Sequence, residues 1–219
     1  MKILIACEES QRVCTAFRKR GHEAYSCDII EGSGGYPQWH IIQDAIPLIN
    51  GNCTFKTADG TTHTIEGRWD MIIAHPPCTY LSNAGAARLY PKAGQLNEER
   101  YQKGLEAKEF FLKFYNADCE KIVIENPIPT RIFELPKYTQ TIQPYEFGHP
   151  YSKKTCLWIK GVPPLTPTEI VEPICSWVSG GSKDSNGNKR KNCGMKFRDS
   201  KTKSKTFEGI AKAMATQWG

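Results

Sequence analysis

Residues 1–28, MKILIACEESQRVCTAFRKRGHEAYSCD, decide the fold class. Residues 2–7 form an apolar run closed by Glu8 and Glu9, too short and too soon charged for a secretory leader, and read as a buried strand. Residues 10–20 carry Val13, Cys14 and Phe17 at helical spacing before Gly21, the pattern and stop of a short helix. Residues 22–28 then read as a second strand ending on Asp28. Strand, helix and strand in so short a stretch make the repeating unit of a parallel sheet, whose ligands lie beyond the carboxyl ends of its strands.

Residues with chemistry recur at such ends. Glu8, Glu9 and Ser10 follow the first strand, His75-Pro76-Pro77-Cys78 follows the apolar residues 69–74, and Glu125-Asn126-Pro127 follows residues 121–124. Between them, residues 53–66 alternate around the turn Ala58-Asp59-Gly60, which predicts a hairpin inserted into the α/β frame. Residues 97–116 read as a helix whose Tyr101, Leu105, Phe110, Phe111 and Phe114 belong to the core. Past Trp158 the run Gly161-Val162-Pro163-Pro164-Leu165-Thr166-Pro167 opens an irregular appendage, and residues 207–218 return to helix with Ile210, Met214 and Trp218 on one stripe.

A chain of 219 residues supports one main domain with a small appendage. Its hydrophobic content is 39%, and no apolar run approaches the ~20 residues of a membrane span, which argues against a membrane protein. Nine scattered cysteines predict reduced thiols in a cytoplasm and no disulfide. Cys175, Cys193, His149 and Cys156 lack the paired spacing of a zinc site, so no metal is expected. Of the formal charge of +6, residues 179–205 alone carry +7, from nine basic side chains (Lys183, Lys189, Arg190, Lys191, Lys196, Arg198, Lys201, Lys203 and Lys205) against Asp184 and Asp199. That stretch reads either as a phosphate-contacting arm or as a solvated loop.

A thiolate is the side chain best able to add to a pyrimidine ring, and two prolines fix Cys78 where a sheet presents its ligand-facing residues. The bland alternative is a small buried hydrophobe. Glu125, just past an apolar strand, is expected to have its pKa raised by burial and to share a proton with a ring nitrogen.

On Pro77-Cys78 and Glu125-Asn126, the chain resembles the DNA cytosine-carbon-5 methyltransferases, in particular the short bacteriophage and prophage versions, over residues 1–160 and 204–218. The resemblance implies an α/β, Rossmann-like class I fold with a mainly parallel sheet, S-adenosyl-L-methionine as cofactor, duplex DNA as partner, and residence in a bacterial cytoplasm. It implies that Cys78 adds to carbon 6 of a flipped-out cytosine while Glu125 and Asn126 serve the ring, with Pro77 and Ser82 beside the substrate. It places the cofactor against Cys7, Glu8, Ser10 and Gln11, with Asp28 and Ile29 at the ribose, Asp44 at the adenine amine and Thr206 at the start of the last helix. Asp28 could equally be a turn residue, and Thr206 a plain helix cap.

Two departures stand out. Glu8-Glu9-Ser10-Gln11 replaces the family's glycine-rich loop, and Gly148 to Trp158 resembles its Gln-x-Arg-x-Arg strand with Lys153 and Lys154 for arginines. Lys154 is the expected base or phosphate contact, a solvent-facing lysine being the alternative. The expected organisation is a catalytic domain of residues 1–160 and 204–219 with a small basic lobe at 161–203 standing for a target-recognition region. Rival readings are cytosine methylation in RNA or a free nucleotide, and a catalytically silent DNA-binding protein.

Overall fold

The computed structural model describes residues 1–92, 94–177, 186–188, 191–192 and 200–219. The first unit is as expected: β1 (Lys2–Ala6), α1 (Arg12–Arg18) and β2 (Glu23–Asp28), with Leu4 opposite Tyr25 in parallel register. β3 (His40–Ile42) extends the sheet beside β2, and an antiparallel hairpin follows, β4 (Cys53–Lys56) with β5 (Thr62–Ile65). β6 (Met71–Ala74) then pairs with the other side of β1, so the chain reverses its direction of growth there. A short turn of helix, α2 (Asn83–Ala86), and the long α3 (Glu98–Tyr115) lead to β7 (Ile122–Pro127), parallel to β6.

The remaining strands reverse the sheet. β8 (Gln140–Ile142) forms the far edge, β9 (Tyr151–Ser152) leaves the sheet, and β10 (Thr155–Lys160) inserts antiparallel between β7 and β8. The seven-stranded order is β3-β2-β1-β6-β7-β10-β8. This is a mainly parallel, doubly wound α/β sheet of Rossmann-like type, with its switch point between β1 and β6. Among the described residues no helix is long and apolar enough to cross a membrane.

Alternation along the strands builds two cores. Ile3, Ile5, Ile73, Val123 and Leu157 face α1 and the last helix, α5 (Glu208–Trp218), meeting Val13, Phe17, Ile210, Met214 and Trp218. Leu4, Ala6, Ile72 and Ile124 face the opposite side, against Phe111 and Phe114 of α3 and the aromatic group of Tyr25, Phe55 and Trp69. Strands covered on both faces need apolar residues at every position, which is why they read as continuous runs. Tyr101, Leu105 and Phe110 are only partly buried, at the border of this second core.

Gly104 of α3 faces the ring of Phe133, and a Cβ there would lie 1.9 Å from Phe133 Cζ. Alanine gains about 1 kcal/mol of helix propensity, but overpacking a buried ring costs up to about 3 kcal/mol. Gly104→Ala is therefore expected to lose roughly 2 kcal/mol in chemical denaturation, where equal or higher stability would contradict the packing described.

Three expectations need correction. Glu125, Asn126 and Pro127 do not follow a strand but belong to β7, because β10 pairs with them as Leu157, Cys156 and Thr155. The Gly148 to Trp158 stretch is not one strand: β9 joins a small sheet with β11 (Cys175–Ser176) and β12 (Lys191–Asn192), while β10 joins the main one. Cys175 is disulfide-bonded, against the expectation of reduced thiols throughout, and seven other cysteines are free. β11 pairs in parallel with β12, so chain from beyond residue 190 lies beside Cys175. Lys183, Asp184, Lys189, Arg190, Lys196, Arg198 and Asp199 lie outside the described residues; α4 (Ser200–Ser204) leads back to the main domain.

Candidate active site

His75-Pro76-Pro77-Cys78 leaves β6 at the carboxyl edge of the sheet, beside the switch point. The His75 amide still donates to Ala6 O at 2.9 Å, so the segment starts in sheet register. Neither proline has an amide to offer, and the turn is held instead from outside: Asn126 Nδ2 donates to Pro76 O at 2.9 Å, and the Ser82 amide donates to Cys78 O at 2.9 Å. Asn126 is buried and Pro77 is exposed. Asn126 thus positions the cysteine turn, a role that its place beside Glu125 in the sequence does not reveal.

Cys78 is half-buried. Burial pushes its thiol up; the charge of Lys153 pulls it down, and that of Glu125 pushes it up again. Lys153 and Glu125 are thus within electrostatic reach of the thiol.

Glu125 is the centre of the polar cluster. His75 Nδ1 lies 3.0 Å from Glu125 Oε2, and Thr206 Oγ1 donates to the same oxygen at 3.3 Å. Both partners of the His75–Glu125 pair are largely buried, with side chains 14% and 12% exposed. The expected rise in the Glu125 pKa does not occur. Burial alone would raise it, but the hydrogen bond and charge of His75, with Lys153 and Thr206, hold it down at about 2. Burial lowers the tendency of His75 to be charged, yet Glu125 and Glu8 more than reverse this and raise its pKa.

The signs give a stability window. A carboxylate whose folded pKa is below its ordinary 4.5 contributes stability above that pH, lost as pH falls toward about 2. An imidazole whose folded pKa is above its ordinary 6.5 contributes stability below that pH, lost as pH rises through the folded value. The stability difference between wild type and Glu125→Gln is accordingly expected to peak between about pH 4.5 and 6.5. Denaturation of both proteins from pH 3 to pH 9 checks this, and a difference that does not change with pH would refute the ion pair.

On the other side of the switch point, Cys7 ends β1 with φ of 58°, a left-handed turn that lifts the chain away from the sheet. Burial, Asp28, Cys27 and Asp44 all push its thiol up, so the two aspartates lie within electrostatic reach of it. Beside them Ile29 is 75% exposed and Ile30 and Ile42 are 46% and 44% exposed, an apolar shelf next to two acids. Asp28 Oδ1 accepts from the Ile30 amide at 3.4 Å and Asp44 Oδ1 from the Ile46 amide at 3.0 Å, so each also steadies its own turn.

The other residues expected at the cofactor also have partners within the protein. Glu8 is buried and its carboxylate accepts from the Val13 amide at 2.6 Å and the Cys14 amide at 3.2 Å, capping α1 from three residues before the cap position. Ser10 Oγ donates to Glu8 Oε1 at 3.4 Å. Gln11 clasps the Tyr36 backbone, donating to its carbonyl at 2.8 Å and accepting from its amide at 3.1 Å. Gly34 lies so close over Gln11 that a Cβ would sit 2.5 Å from Gln11 Cβ. The amino terminus of α1, the usual place for an anionic group, is thus filled by an internal carboxylate.

Two further residues have surroundings the sequence did not show. Lys154, the expected base contact, is exposed and acts electrically on Cys156, whereas Lys153 faces the cluster and acts on Cys78, Glu125 and His75. Lys153 Nζ donates to Lys203 O at 3.3 Å and lies 6.0 Å from the Phe207 ring. Thr206 does not cap α5, whose cap position is Phe207 with no side-chain hydrogen bond; its hydroxyl turns to Glu125 instead. Sequence reasoning gave no role to His75, whose partner lies fifty residues away, and read Lys205 only as part of the basic stretch, whereas it donates to Ser33 Oγ at 2.9 Å. A groove of about 690 Å³ between α1 and α5 is lined by Arg12, Lys19, Lys205 and Lys212 among others, but includes neither Cys78 nor Glu125.

No family model and no curated protein matches the chain. Among solved structures it is similar to a candidate DNA modification methyltransferase encoded within an E. coli prophage, at 11% identity and a TM-score of 0.42. The likeness covers 84% of this chain and 56% of the other, so the chain spans little more than half of that protein's length. So distant a likeness transfers no residue and no activity.

Proposed function

We propose that this protein is an S-adenosylmethionine-dependent methyltransferase that methylates carbon 5 of cytosine in DNA, with Cys78 as nucleophile. The observation that carries the reading is that Cys78 and Glu125, brought in by adjacent parallel strands, lie within electrostatic reach of each other and of Lys153. A thiol beside a fixed carboxylate suits a ring that must be attacked at one atom and held at others.

The Cys78 thiolate adds to carbon 6, and Glu125 takes up ring nitrogen 3 and the exocyclic amine. Oε2 holds His75 and Thr206, and in this reading Oε1 is the oxygen that meets the base. Asn126 holds Pro76 and with it the approach of Cys78. S-adenosylmethionine, when bound, supplies the electrophilic methyl group. The target base has to leave the stack for the thiol to reach it, at a cost of a few kcal/mol. Lys153 and the basic stretch at 183–205 favour the polyanion that carries it.

The residues of the switch point fit the adenosine end of that cofactor: two acids for hydroxyl and amine groups, and exposed isoleucines for a purine face. Charged hydrogen bonds contribute about 1.5–3 kcal/mol each, so Asp28→Ala is expected to weaken cofactor binding roughly 10- to 100-fold by calorimetry. Unchanged affinity would place the cofactor elsewhere.

One observation favours a second reading, a catalytically silent DNA-binding protein: Glu8 fills the amino terminus of α1, which removes one anchor for the methionine carboxylate. Calorimetry of wild type with S-adenosylmethionine separates the two, since a silent binder shows no heat of cofactor binding. Incubation with methyl-labelled cofactor and duplex DNA, RNA or cytidine nucleotides in turn identifies the substrate; label in RNA or nucleotide alone would exclude DNA.

A further inference from the structure

Cys78, Glu125 and the cofactor acids account for most of the polar groups at the carboxyl edge, but not for His75. It leaves β6 three residues before Cys78, its Nδ1 is 3.0 Å from Glu125 Oε2, and its Nε2 is buried with no hydrogen-bond partner. Such an orphaned ring nitrogen costs about 1–3 kcal/mol in a folded protein, which marks the position as one kept for its chemistry. The groups facing it are Glu125 from β7, Glu8 from the turn after β1 and Lys153 from the turn before β10. Glu125, held as a carboxylate, is the group that favours the imidazolium most, through both its hydrogen bond and its charge.

Glu125, in turn, meets a difficulty that the cytosine reaction makes plain. When Cys78 Sγ bonds to carbon 6, the electron pair of the carbon 5–carbon 6 bond moves into the ring and negative charge develops on nitrogen 3. A carboxylate beside that nitrogen would repel the charge, and the environment of Glu125 keeps it a carboxylate. A proton must therefore reach it from within the protein.

Resting on the methylation reading above, we propose that His75 is the proton reservoir of the site: as imidazolium it passes its Nδ1 proton to Glu125 Oε2, and the carboxyl group, turning about its Cγ–Cδ bond, delivers that same proton to nitrogen 3. The balance is closed. The thiol proton of Cys78 leaves to solvent before addition, the Cys78 Sγ–carbon 6 bond forms, nitrogen 3 gains one proton, and His75 ends neutral with Glu125 still anionic. When the adduct collapses the proton returns along the same path. Thr206 donates to the same Oε2, the oxygen that takes the proton. His75 acts through Glu125 and does not touch the base.

The requirement for both a thiolate and an imidazolium predicts a bell-shaped pH profile for wild-type kcat/KM. In His75→Gln the His75 limb is lost, and activity rises steadily with pH to the ionisation of Cys78. At neutral pH the rate falls about 10²-fold, the usual contribution of a placed proton donor. Adding His75→Gln to Glu125→Gln costs little more, since both remove one relay. ¹⁵N spectra of histidine-labelled protein supply a readout independent of turnover: His75 is an imidazolium at pH 7 in wild type and neutral in Glu125→Gln. A neutral His75 in wild type, or a His75→Gln profile parallel to wild type, overturns the proposal; should His75→Gln and His75→Asn both fail to fold, the spectra decide. Mass spectrometry of wild type with 5-fluorocytosine duplex DNA and S-adenosylmethionine distinguishes the two levels of failure. No adduct removes the methylation reading and the relay with it, whereas an adduct with an unaltered His75→Gln profile removes the relay alone.

Discussion

Cys78→Ala is expected to lower methyl transfer to cytosine by at least about 10³-fold, a loss of roughly 4 kcal/mol or more of transition-state stabilisation. The reason is chemical: without the covalent bond to carbon 6, carbon 5 is not nucleophilic enough to accept a methyl group. Cys7, the other cysteine near the switch point, cannot stand in, because burial and the neighbouring aspartates push its thiol far above the physiological range. The fold should survive. The turn is held through backbone carbonyls of Pro76 and Cys78, which alanine retains, and the thiol is not one of the groups that hold it. Melting temperature and DNA affinity close to wild type, with methyl incorporation gone, is the expected pattern in single-turnover assays. Incorporation within a factor of about ten of wild type would remove Cys78 from the chemistry.

Glu125 gives the second large effect, and it separates chemistry from stability. Glu125→Gln keeps an acceptor for His75 and Thr206 but cannot ferry a proton, so methylation is expected to fall about 10²- to 10³-fold with a modest loss of stability. Glu125→Ala also leaves His75 buried without its counter-charge, and removing one partner of a buried pair costs about 3 kcal/mol or more. The two variants should thus be alike in activity and unlike in denaturation midpoint. Equal midpoints would mean that the ion pair contributes nothing to the fold.

The frame was legible in the sequence because parallel strands covered on both faces are apolar at every position, as Lys2–Ala6 and Met71–Ala74 are past their first residues. The hairpin was legible from local turn chemistry at Asp59 and Gly60. Positions near the carboxyl edge of the sheet were legible too, since Cys78 follows β6 and Glu125 lies near the end of its neighbour β7. What escaped depends on partners remote in the chain. β7 runs on to Pro127 only because β10 pairs with it. The Glu125 pKa falls where burial alone predicts a rise because His75 comes from another strand. The position of Lys153 beside the cluster was hidden because strand structure is interrupted between Ser152 and Thr155, where the chain changes sheets, and no periodicity crosses that interruption. Glu8 caps α1 from outside the usual cap position, so no capping pattern announces it.

The central claim, covalent methylation of cytosine through Cys78, is tested most directly by incubating wild type and Cys78→Ala with methyl-labelled S-adenosylmethionine and duplex DNA, then identifying the labelled nucleoside by mass spectrometry. The account predicts 5-methylcytosine with wild type and none with Cys78→Ala. Label on the exocyclic amine of either base, or 5-methylcytosine formed equally well by Cys78→Ala, would contradict it.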